Sequence, residues 1–156
     1  MEDAADMTEH IIDLSVVRPD TGRRLERLSI PECLARLSRA GIGRIAFAYG
    51  PAPVVLPVNF ALDGVTVVLR TADDTQLASL PDGEGVALEI DHVDLDDHTG
   101  WSILMRGRID RITDPADLER CRELPLGHYA PGDRQEWRRI NPATISGRRI
   151  APAGMA

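Results

Sequence analysis

The sequence predicts a mainly antiparallel β domain, a closed barrel or a sandwich, carrying a few short helices. Apolar residues recur with period two in successive short stretches, as in "GRIAFAY", where Ile45, Phe47 and Tyr49 alternate with Arg44, Ala46 and Ala48. Turn signals join these stretches directly: "GPAP", Asp63-Gly64 and "PDGEG". At 156 residues the chain has length for one domain with a real core and is short for two.

Residues 1–24 are polar, acidic and aperiodic apart from the apolar patch at 11–17, and read as an N-terminal arm ahead of a domain over 25–156. The fold proper opens at "LSIPECLARLSRAGIG". Ser29 with Glu32 forms a capping box, Pro31 suits a first helical turn and Gly41 a C-cap, with Ile30, Cys33, Leu34 and Leu37 on one face.

Strands follow at "GRIAFAY", "VVLPVNFAL" and "VTVVLR", with Pro53 and Pro57 marking a break or edge in the second. "DDTQLASL" reads as a short helix with Asp73 or Asp74 near its N-cap. "VALEID" is a fourth strand, and the polar loop "HVDLDDHTG" leads into the long strand "WSILMRGRIDRI". "DPADLERCREL" is a helix with Pro115 in its first turn, and "WRRINPATISGRRI" supplies one or two terminal strands. Six or so hairpin-connected strands curl to remove their edges.

Composition narrows function. The net charge of −7 argues against a general nucleic-acid binder, which needs a basic face. No apolar run approaches the ~20 residues of a membrane helix. The acidic first ten residues do not read as a secretory or mitochondrial leader. All 18 basic residues are Arg, so lysine Schiff-base chemistry is unavailable. Cys33 and Cys121 are isolated thiols without a CxxC, as expected of a reduced, cytoplasmic protein. "DHVDLDDHTG" gathers His92, Asp94, Asp96, Asp97 and His98, but matches no standard calcium loop or helical zinc pair and reads as a solvated hairpin loop. Ser102 has no His partner at motif spacing.

Four strings, "GRIAFAYGPAPVVLPVNFALDG", "VVLRTADDTQLASL", "VALEIDHVDLDDHTGWSILMRGRIDRITDP" and "WRRINPATISGRRI", together resemble the pyridoxamine 5′-phosphate oxidase-like family of FMN-binding split barrels. They do so in the family's order, over about residues 29–150, and look most like its nitroimidazole reductase-related branch. The resemblance implies a split β-barrel, antiparallel and homodimeric, with a flavin in each of two clefts between subunits and a small-molecule substrate.

The resemblance points to Pro57, Val58 and Asn59 as backbone and amide against the flavin ring. A proline exposes a carbonyl, although a strand edge or a turn cap explains the same residues. Arg70 and Thr71 match the strand-ending pair that touches the flavin: a guanidinium fork suits phosphate and a hydroxyl suits a ring oxygen. Arg70 paired with Asp73 or Asp74 is the plainer reading. Gln76 and Leu77 continue that wall, and the expected helix would aim its N-terminus at an anion. The family's glycine and lysine are here Asp74, Thr75 and Gln76. Phosphate charge must then come from an arginine such as Arg44, Arg106 or Arg108, with Arg148 or Arg149 further candidates at the chain's basic end.

Trp101 is placed by resemblance near the other subunit's flavin, and reads otherwise as a core or interface aromatic. Trp137 and Tyr129 form a ring-stacking lid or packing filler. The implied activity is FMN-dependent oxidation or reduction of a small molecule, with no side chain acting as acid or base. The alternatives are a deazaflavin coenzyme in place of FMN, or a dimeric module that holds flavin or haem without turnover.

Overall fold

The computed structural model describes residues 23–127 and 136–152. Most of the expected N-terminal arm, and Tyr129, lie outside the described residues.

The elements run β1 (Arg24–Leu28), α1 (Ile30–Ala40), β2 (Ile42–Tyr49), β3 (Ala52–Asp63), β4 (Thr66–Thr71), β5 (Glu84–Asp94), β6 (Thr99–Arg111), α2 (Pro115–Arg122) and β7 (Glu136–Ala151). The strands pair antiparallel in the order β1-β7-β4-β3-β2-β5-β6, and β6 also pairs with β7. That last pairing closes a six-stranded ring. The expectation of a small antiparallel barrel holds.

β7 closes the ring because it serves two neighbours on one edge. Its first residues pair with β4, Thr71 opposite Glu136, and its last with β1, Arg24 opposite Ala151. β6 runs along its other edge, with one irregularity between Arg106 and Gly107. Gly107 is required there, since a Cβ would stand 2.1 Å from the Asn141 carbonyl oxygen.

α1 starts as expected. The Ser29 backbone N–H donates to Glu32 Oε2 at 2.8 Å and the Glu32 N–H to Ser29 Oγ at 3.4 Å, and Gly41 ends the helix at φ +69°. Cys33 and Leu37 are buried, while Ile30 at the helix entry is exposed. The helix packs on β7 and β3.

Inside the ring, Ile45, Phe47, Phe60, Val67, Leu69, Leu88, Ile103, Met105, Ile109 and Ile140 form one core with Leu28, Cys33 and Leu37. Each large apolar side chain so buried contributes about 1.5–3 kcal/mol. A second cluster outside the ring holds Val68, Ile112, Cys121 and Trp137 under α2. Tyr49, expected on the buried face of β2, is exposed and meets Phe47 edge-on at 6.5 Å.

Two expectations are corrected. β1 was not foreseen as a strand. Residues 72–80 form consecutive turns, not a helix: only Ser79 N–H reaches back four residues, to the Thr75 carbonyl at 3.2 Å. The segment buries Leu77, Ala78 and Leu80 while Asp73, Asp74, Gln76 and Ser79 stay exposed, and the Thr75 hydroxyl takes the Ala78 N–H that a helix would bond to a backbone carbonyl. Its carbonyls are taken from outside: Arg138 donates to Ala78 O at 3.0 Å and Leu80 O at 2.8 Å, and Arg111 to Ala78 O at 2.8 Å.

Candidate functional site

The barrel splits where β3 and β4 part. Their ladder ends at Phe60 opposite Leu69. Beyond it, residues 52–59 of β3 pair only with β2, while Arg70 and Thr71 pair only with β7, opposite Trp137 and Glu136. The loop 72–80 lies at the foot of this notch.

The prolines fit the open edge. Phe60 N–H donates to the Gly41 carbonyl at 2.9 Å, so by alternation the amides of Val58, Leu56 and Val54 also face β2. The nitrogens of Pro57 and Pro53 therefore face away from β2, where a missing donor costs no ladder bond. The edge is left with carbonyl oxygens and few N–H groups. It can accept a ligand closely while discouraging another strand. Pro57 is exposed and Val58 half-buried against the core. The Asn59 side-chain amide is half-buried with no hydrogen-bond partner among the described residues.

Arg70 and Thr71 point to opposite faces of β4, as adjacent strand residues must. The Arg70 guanidinium turns outward and lies 4.7 Å over the Trp137 ring. Thr71 turns inward and is buried, its hydroxyl 2.7 Å from the Thr75 hydroxyl. Thr75 Oγ1 in turn donates to the Ala72 carbonyl and accepts from Ala78 N–H. Gln76 is exposed, and the Leu77 side chain is committed to the core. With no helix at 72–80, the expected helix N-terminus for an anion is absent from the notch.

Trp101 and Arg106 sit on separate surfaces of the single chain. Trp101 stacks with His92 at 6.3 Å and lies under the Arg36 guanidinium at 5.4 Å. It borders a groove of about 590 Å³ with Leu25, Val93, Leu95, Arg148 and Ile150. Arg106 is exposed on the outer face of β6, beside Ala46, Ala87 and Thr144, with no ion pair among the described residues.

Of the other arginines weighed for phosphate, Arg44 bonds Glu89 at 3.0 Å and Asp91 at 3.1 Å, and the Asp91 bond first and then Glu89 raise its pKa. Arg108 donates to the Gly83 carbonyl and Arg149 bonds Glu26. Asp94 closes the β5–β6 loop by accepting from the Asp96 and Asp97 N–H groups.

Sequence reasoning missed Arg111, Arg138 and Thr75, which hold the loop under the notch. Arg138 is fully buried, with its Nε unpartnered, and burial and then the nearby Arg111 charge lower its pKa. The available signal was the alternation in "WRRI", which places Arg138 on the same inward face as Ile140.

Among the described residues no helix is long and apolar enough to cross a membrane. The family model described as pyridoxamine 5′-phosphate oxidase matches residues 29–149. The fold is similar to that of the FAD binding protein from Mycobacterium smegmatis, at 32% identity and a TM-score of 0.72 over 80% of this chain and 98% of that one. A FAD-binding protein from Mesorhizobium loti shares the fold at 20% identity and a TM-score of 0.65, over 81% of this chain and 99% of that one. An uncharacterised protein of Mycobacterium tuberculosis is 28% identical over 111 residues, 68% of this chain and 73% of its own length.

Proposed function

The chain belongs to the pyridoxamine 5′-phosphate oxidase family, and on that premise we propose that it binds a flavin nucleotide at the β3–β4 notch and serves in electron transfer to or from a small molecule. The observation that carries this reading is the parting of the strands after Phe60 and Leu69. It leaves the proline-marked edge of β3, the Asn59 amide, which has no hydrogen-bond partner among the described residues, and the Thr71–Thr75 hydroxyl pair around one opening.

These groups fit a flavin ring. A flat tricycle needs close approach along one side and polar contacts at its pyrimidine edge. Residues 57–59 offer the first through bare backbone and the second through Asn59. The relative from Mycobacterium smegmatis, named for binding FAD, supports a flavin over an unrelated ligand. When bound, the flavin would supply the redox chemistry itself. The chain's part is to orient the ring, and none of Pro57, Val58, Asn59 or Thr71 passes a proton at neutral pH.

In this reading the functional unit is a homodimer. Arg106 shares a groove with Pro53 of the β3 edge, whereas Trp101 borders a different groove, and a second copy would bring such a residue to the notch. FMN and FAD are both admitted, and a deazaflavin coenzyme remains the variant for a loop that carries Asp73, Asp74 and Gln76 and no cation. A dimer that holds flavin without turnover is the second reading.

Titration of the purified chain with riboflavin, FMN and FAD tests the proposal. Binding should quench flavin fluorescence, and Asn59→Ala should weaken it about tenfold, the worth of one hydrogen bond to a buried ligand edge. Bleaching of bound flavin by a nicotinamide donor separates turnover from storage. A wild-type chain that binds none of the three ends this reading.

A further inference from the structure

β1 is an open edge of the sheet: among the described residues it pairs with β7 alone. The face beside that edge is apolar. Leu25 stands opposite Ile150, Ile150 opposite Gly100 and Gly100 opposite Val93, so one row crosses β1, β7, β6 and β5. Leu25 is 66% exposed, Val93 58% and Ile150 44%, and with Leu95 they line the groove of about 590 Å³ that Trp101 borders. The charged residues of β1, Arg24, Glu26 and Arg27, discourage a stray strand but cover none of this row. Large apolar side chains gathered in one groove mark an interaction site, where scattered ones would not.

The sequence just ahead of β1 has the pattern to cover both edge and groove. In "IIDLSVV", residues 11–17, Ile12, Leu14 and Val16 alternate with Asp13 and Ser15, the period of a strand with one apolar face. "RPDTGR" follows. Pro19 suits the second position of a type I turn, and Gly22 suits the left-handed residue that ends a four-residue hairpin loop. Such a loop ends one residue short of Arg23, and β1 begins at Arg24.

We propose that residues 11–17 add to β1 as an antiparallel strand of the same chain and lay Ile12, Leu14 and Val16 over the Leu25–Ile150 groove. Register supports this. A loop of residues 19–22 sets Arg18 opposite Arg23, and hence Val16 opposite Leu25 and Leu14 opposite Arg27. Leu25 and Arg27 share the groove face, because Glu26 and Leu28 turn the other way, Glu26 to Arg149 and Leu28 into the core. The three apolar side chains therefore fall on the groove, and Asp13 and Ser15 on the opposite face. A slip of one residue would reverse both sets.

The chain's own segment is favoured over a second copy because the turn joins the two strands within four residues. Pairing there also removes the exposed edge on which a foreign strand would otherwise build. None of this depends on flavin binding.

Amide hydrogen exchange of the full chain, followed by NMR on wild type, Leu14→Asp and Ser15→Gln, tests the proposal. In wild type, the amides of residues 12–16 and those of β1 that face away from β7 should exchange slowly, and equally so in dilute and concentrated protein. Leu14→Asp should quicken both sets about tenfold. It should leave the Leu88 and Met105 amides of the barrel protected, which shows that the variant folds. Ser15→Gln, on the opposite face, should change neither set. Residues 12–16 exchanging at free-peptide rates in wild type would overturn the proposal. So would protection of β1 that rises with protein concentration or survives Leu14→Asp, since either would assign the face to a second copy or another partner.

Discussion

The hydroxyls of Thr71 and Thr75 meet at 2.7 Å and tie the last residue of β4 to the loop beneath the β3–β4 notch. Thr75 also bonds the Ala72 carbonyl at 2.9 Å and the Ala78 N–H at 3.1 Å, so one side chain closes the turn from both sides. Thr75→Val keeps the shape and removes all three bonds. Chemical denaturation should show a loss of about 1–3 kcal/mol. Amide exchange should quicken at Ala78, and unchanged protection there would separate Thr75 from the loop's order.

Arg138 is a buried cation whose close acceptors among the described residues are the Ala78 and Leu80 carbonyls, with Glu136 further off at 3.7 Å. Arg138→Met removes the cation but strands the Leu80 carbonyl, while Ala78 retains Arg111. Net destabilisation of about 1–3 kcal/mol is expected, because one unpaired carbonyl outweighs relief of the buried charge. A variant more stable than wild type would show that burial of the charge dominates.

Gly147 lets α1 seat on β7. A Cβ there would stand 2.6 Å from Cys33 Sγ and 3.1 Å from Leu28 Cδ1. Gly147→Ala should cost about 1–3 kcal/mol through overpacking. Pairing it with Cys33→Ala should recover part of that loss, giving a favourable coupling in a double-mutant cycle. Simple additivity would place the strain elsewhere.

The cap of α1 should depend on acid. The Ser29 backbone N–H, then its hydroxyl, hold the Glu32 carboxyl below its usual pKa. A carboxylate depressed in the folded state adds stability that is complete above its unfolded value and fades as pH falls through the folded one. Wild type should therefore lose part of its advantage over Glu32→Gln below about pH 4. Parallel pH–stability curves for the two proteins would remove the cap from the acid response.

Much of the architecture is local and so is legible in the chain. Alternation in "GRIAFAY" and "VTVVLR", the Asp63-Gly64 turn and the Ser29–Glu32 box each specify an element within a few residues, and β2, β4, their turns and α1 stand where those patterns place them. Pro53 and Pro57 announce an edge by chemistry alone, since neither can donate to a ladder.

What the residues in order could not decide is what distant segments do to one another. β1 exists because "RLERL" finds residues 147–151, more than a hundred positions away. Residues 72–80 look helical by composition, yet their apolar side chains are needed inside the ring and their carbonyls are claimed by Arg111 and Arg138 from β6 and β7. Likewise, pleat alone sends Arg70 and Thr71 to opposite faces, but only the pairing with β7 sets Trp137 under the guanidinium. Period and turn chemistry act over a few residues, whereas burial and hydrogen-bond satisfaction are settled by the whole closed sheet.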